Sequence, residues 1–131
     1  KFGDNPNFTL EEGIIPPEKF HKSKCMISDW SGISLEYAFT FERPVVFIDV
    51  PKKVLNPNSA DISLEPIEIS IREKIGYVIS PTNLVKIPNI IKKINEDKSL
   101  NNQIEKIRSE TVYHIGNSAE IGSKYIQELI S

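Results

Sequence analysis

Hydrophobic residues fall into short blocks along this chain, and the blocks change character in a regular order. Val45 to Ile48 is a continuous β-branched and aromatic run without alternation, the mark of a parallel strand covered on both faces. A strand over 24–28 precedes it and a third over 77–80 follows. Between the first two, Ile33, Leu35, Tyr37, Ala38, Phe39 and Phe41 cover nearly every side of a helix, which predicts packing against more than the sheet. Pro44 bars its continuation. Spaced aliphatic positions then predict helices over 88–96 (Ile90, Ile91, Ile94), 100–110 (Ile104, Ile107) and 118–130 (Ile121, Tyr125, Leu129).

The remaining stretches are punctuated by turn formers. Residues 1–16 carry Gly3, Asp4, Asn5, Pro6, Gly13 and Pro16 around one short strand expected at 8–10. Residues 16–23 read as a short helix, with proline in its first turn and basic residues at its end. Over 49–74, Pro51, Asn56, Pro57, Asn58 and Pro66 break any long element. There the alternation Ile67, Ile69, Ile71 argues for a strand, and the stripe Leu64, Ile67, Ile71, Ile75 for a helix. Gly76, standing where a helix C-terminal glycine would, tips the reading to helix. A further helix starts at Pro81, Thr82 and Asn83. Strands alternating with helices predict an α/β fold: a Rossmann-like three-layer domain with a small parallel sheet, formed by 1–131 as a single domain.

Charge and composition narrow the function. With 16 basic and 18 acidic side chains among 131 residues, the chain has a net charge of -2 and no general attraction to nucleic acid or anionic lipid. Any phosphate must be held locally. The single cysteine, Cys25, excludes an internal disulfide; its apolar setting predicts a buried, inert thiol and a reducing compartment. No apolar run reaches the roughly 20 residues that span a bilayer. The chain begins without Met, which suggests a piece of a longer protein.

One turn carries candidate chemistry. Ser28, Asp29, Trp30, Ser31 and Gly32 join a strand to a helix, where small residues let backbone amides and hydroxyls approach a phosphate. Ser31 can donate its hydroxyl, and the amides of Gly32 and Ile33 point at the anion with the helix dipole behind them. The plain alternative is that Ser31 or Asp29 caps the helix, worth about 1 kcal/mol. Glu36 is the one acid on an otherwise apolar helix. It either faces solvent, pairs with Arg43 or Arg72, or accepts hydrogen bonds from a ribose or other substrate hydroxyl. Trp30, in the turn, is a lid over the core or a stacking wall for a ligand. Ser118, in a second polar turn, is an N-cap or a further ligand contact. His21 and His114 lack partners at metal spacing, so neither a metal nor a cofactor is expected.

The run from Ile27 through Ser28, Asp29, Trp30, Ser31, Gly32, Ile33, Ser34, Leu35, Glu36, Tyr37, Ala38 and Phe39, followed by Arg43, Pro44 and the strand to Ile48, resembles the C-terminal segment of the CDP-glycerol glycerophosphotransferases, the teichoic acid and capsule polymerases. Asp29 matches the family aspartate, Trp30 its tyrosine, Ser31 its first serine, Glu36 its acid, and Arg43 with Pro44 its strand opening. Gly32 departs from the second serine, which removes one hydroxyl. The resemblance implies the second half of a GT-B fold, with Asp29, Trp30, Ser31, Gly32 and Glu36 facing a CDP-linked donor and Ser118 matching a closing segment weakly. The family's catalytic histidines lie upstream of anything present, and His21 does not match them. It implies a fragment inactive alone, completed by a missing N-terminal domain, in a cytoplasmic enzyme peripheral to the inner membrane face. Two other readings remain: a domain of a UDP-sugar glycosyltransferase or epimerase, and a noncatalytic α/β interaction module.

Overall fold

The computed structural model describes residues 2–52 and 64–130. Its centre is a three-stranded parallel sheet in the order β1 (Met26–Ser28), β2 (Val45–Ile48), β3 (Gly76–Ile79). Met26 pairs with Val45, and Val45 in turn with Gly76, so the three strands start level and end together at one edge. The helices are α1 (Pro17–Lys22), α2 (Ile33–Phe41), α3 (Ile67–Ser70), α4 (Arg72–Ile75), α5 (Ile87–Glu96), α6 (Ser99–Thr111) and α7 (Ser118–Leu129).

Strand β2 is buried from Val45 to Phe47, and its alternate side chains feed two cores, as the unalternating sequence requires. On one face Val45 and Phe47 pack with Tyr37 and Ala38 of α2, Ile71 and Ile75 around α4, and Ile104 of α6. On the other, Val46 and Ile79 pack with Ile94 of α5, with Cys25, Tyr77, Ile87 and Ile90 at the margin. Helices therefore cover both faces of an α/β fold. Near α1, Tyr37 joins an aromatic cluster with Phe20 and Phe41; burial raises its phenol pKa, and its hydroxyl meets Ser23 Oγ at 2.8 Å.

The ends of α2 are built differently. Its carboxyl end closes on Glu42 in the left-handed conformation (φ 51°). There Asn101 donates to the Glu42 carbonyl at 2.6 Å, Arg108 donates to the Phe39 carbonyl at 3.1 Å, and the Glu42 carboxylate pairs with Arg108 at 2.7 Å. Both partners come from α6. They satisfy carbonyls that a helix end leaves open.

Several expectations are corrected. Residues 8–10 form no strand; Phe8 and Leu10 are exposed in an irregular segment. The helix expected through Ile75 exists but breaks at Ile71 into α3 and α4, and Leu64 at the head of its stripe is exposed. Gly76 is not a left-handed cap: its backbone is extended, and it is needed because a Cβ there would stand 1.8 Å from the Val45 carbonyl oxygen. Pro81–Lys86 is a 3₁₀ segment ahead of α5. The breakers Asn56, Pro57 and Asn58 lie outside the described residues.

Candidate functional site

The turn after β1 lies at the carboxyl edge of the sheet and opens α2, the position where α/β folds hold anions. Gly32 is the N-cap residue, and no side chain caps the helix. The Ser31 carbonyl accepts from the Ser34 amide at 3.1 Å and from Ser34 Oγ at 2.6 Å, and the exposed Ser31 hydroxyl has no hydrogen-bond partner among the described residues. The first amides engaged within the chain are those of Ser34, Leu35 and Glu36. Those of Gly32 and Ile33 have no acceptor among the described residues. The capping role open to Ser31 or Asp29 is therefore unfilled, and Asp29 is exposed. A Cβ on Gly32 would meet nothing within 4 Å, so space in front of the helix is open.

Trp30 ties the turn to the rest of the edge. Its indole Nε1 donates to the Val50 carbonyl at 2.8 Å, just past β2. The Arg72 guanidinium lies over the indole at 3.8 Å, and over the Phe47 ring at 5.0 Å. Arg72 is 5% exposed, and its Nη1 pairs with Asp49 Oδ1 at 2.8 Å. Three chain segments thus meet at Trp30: the turn after β1, the end of β2, and α4. A cavity of about 340 Å³ opens beside them.

Glu36 does not join this arrangement. It is exposed, has no ion pair or hydrogen bond from its carboxylate among the described residues, and borders a separate apolar groove of about 310 Å³ with Ile15, Phe20, Ile33, Tyr37 and Phe41. Its two expected partners are committed elsewhere: Arg72 to Asp49, and Arg43 to the carbonyls of His21 (2.5 Å) and Ser23 at the end of α1. Ser118 opens α7, exposed, and is not among the residues lining the cavity at Trp30. His21 packs its ring on Phe41 at 6.0 Å, on the apolar side of α2. Cys25 is half-buried, and burial raises its pKa, which keeps the thiol protonated and unreactive.

Sequence reading missed Asp49, Val50 and the central part played by Arg72. One signal was present: an arginine beside Ile71 and four residues before Gly76, inside an apolar stripe, has a long side chain that must thread the core margin. No family model, curated protein or solved structure matches the chain.

Proposed function

We propose that this chain is the donor-nucleotide-binding part of a transferase that moves glycerophosphate, or a related polyol phosphate, from CDP-glycerol to a cell-surface polymer. The supporting observation is the amino end of α2 at the carboxyl end of a parallel strand, where among the described residues two amides and the Ser31 hydroxyl have no partner and no side chain caps the helix. A diphosphate docked there would take hydrogen bonds from Gly32, Ile33 and Ser31, and the helix dipole would offset charge on the departing nucleotide. The motif from Ile27 to Ile48 supplies the donor's identity, by resemblance to the glycerophosphotransferases. β1 has a partner on one side only among the described residues, which leaves an edge where a doubly wound GT-B sheet would continue. The catalytic base would come from the missing domain, and the fragment alone would be inactive. No helix among the described residues is long and apolar enough to cross a membrane; in this reading the parent enzyme is cytoplasmic and reaches the inner membrane face through its other part.

Titration with CDP, UDP and inorganic phosphate, followed by the amide resonances of Gly32 and Ile33 and by Trp30 fluorescence, tests this directly. Preferential saturation by CDP is the expected result. A preference for UDP would move the chain to the nucleotide-sugar enzymes. Silence toward all three would reduce it to an interaction module.

A further inference from the structure

Two apolar surfaces of this chain lie uncovered, and they are complementary in kind. One is the groove between α1 and α2, where Ile15 and Phe20 form one wall and Ile33, Tyr37 and Phe41 the other, around a space of about 310 Å³. Glu36 stands on the α2 side of it, exposed, and its carboxylate has no partner among the described residues. The α1 side ends in a basic turn that includes Lys22.

The other surface is α7. Ile121, Tyr125 and Leu129 recur at four-residue spacing and so share one face of the helix, with Ile126 beside them. Ile121 is half-buried, but Tyr125 is 62% exposed and Leu129 68%, and no residue of α7 is buried. A helix of this length is not stable by itself in water and holds its shape through packing of its apolar face. Here that packing is largely missing. Lys124, the single base of α7, lies between Glu120 and Glu128, so the helix has no surplus of positive charge to draw it to an anionic lipid surface.

We infer that α7 of one copy of this chain lies in the α1–α2 groove of a second copy, in a reciprocal exchange that closes a twofold dimer. Three observations select a second copy. Helix-in-groove recognition needs an amphipathic helix with anchors one turn apart and an apolar groove to receive them, and this chain carries both. The charges match as well: Glu36 on the groove meets Lys124, and the basic turn of α1 meets the acids that flank Lys124 on α7. One such contact, on the order of 800 Å², is half of the roughly 1,600 Å² typical of stable association, and a twofold exchange supplies two. The dimer does not depend on the diphosphate reading.

Sedimentation equilibrium of the 131-residue chain tests this, and monomer and dimer in equilibrium are the expected result. Leu129→Glu on the helix and Ile15→Asp on the groove, both at exposed positions, are each expected to weaken the dimer on the order of a hundredfold, because every dimer loses two covered apolar side chains. Glu36→Lys is expected to weaken it about fivefold, and adding Lys124→Glu to restore it, a rescue that a general loss of folding cannot give. A chain that stays monomeric leaves α7 to a different protein and overturns the inference. Open-ended growth, loss of the dimer in Leu129→Glu but not in Ile15→Asp, or no rescue by the charge exchange overturns it too. The response of the Gly32 amide to CDP, read in the Leu129→Glu variant, reports on the diphosphate site alone.

Discussion

The two ends of α2 meet opposite treatment within one nine-residue helix. At the carboxyl end, two side chains from α6 reach across to satisfy carbonyls, and Glu42 accepts a left-handed backbone to let them do so. At the amino end, a chain rich in capping residues uses none of them: Ser28, Asp29 and Ser31 are all within reach by sequence, and no side chain caps the helix. Capping an end typically stabilises by about 1 kcal/mol. The amino ends of α5 and α7 make no side-chain cap hydrogen bond either, so what sets the amino end of α2 apart is its place at the carboxyl edge of the sheet, and on that ground it, rather than the more polar-looking Glu36, anchors the proposed function.

Both ends of α2 depend on the sheet beneath them, and the largest effect is expected from disrupting it. Gly76→Ala would drive a Cβ into the Val45 carbonyl, and neither backbone can retreat without parting β2 from β3. A loss of about 3 kcal/mol or more in urea unfolding is expected, a size reserved for such backbone and core conflicts. Next, Arg108→Ala strips the closed end of its hydrogen bond to Phe39 and its ion pair with Glu42. The pair is partly solvated and contributes little, so most of the expected loss of about 1.5–2 kcal/mol comes from the carbonyl bond and the packed stem. CDP-induced shifts at Gly32 should persist in this variant.

The sharpest contrast comes from closing the open end. Gly32→Asp places a carboxylate in the open space before the helix, where the dipole favours it, and is expected to stabilise the protein by only about 0.3 kcal/mol while abolishing any response to CDP or phosphate. A variant that stays folded and still binds would show that the amino end is not the anion site. The smallest effect concerns α6, which supplies the caps. Asp97 Oδ1 accepts from the Ser99 amide at 2.8 Å, and this bond holds its pKa below the ordinary carboxylate value. Because the folded pKa is the lower one, the contribution is full above the ordinary carboxylate range and is lost as pH falls through the depressed value. Asp97→Asn should slightly flatten the acid limb of a stability-against-pH curve and leave neutral stability little changed.

Much of the architecture was legible because its causes are local. The unalternating run from Val45 to Ile48 could only be a strand covered on both sides, and Pro44 could only end α2 nearby. The polar run from Asp29 to Gly32 could be placed as a turn between a strand and a helix, since small and polar residues there break both elements. The errors fall where distant chain decides. Gly76 looked like a helix cap and is a point of close approach to β2, a fact set by a neighbour 31 residues earlier in sequence (76 less 45). Glu36 looked costly on an apolar helix, but that helix has a side the core leaves to solvent.

The amino-acid sequence alone determined the alternation of strands and helices, the apolar double-faced β2 and the place of the polar turn, because periodicity and backbone preference act over a few residues. Only the tertiary structure decided which arginine meets Trp30, which helix end is closed and which is left open. Those outcomes depend on segments far apart in the chain arriving at one edge of the sheet, where a guanidinium's hydrogen bonds are either met or left unmet by what packs beside it.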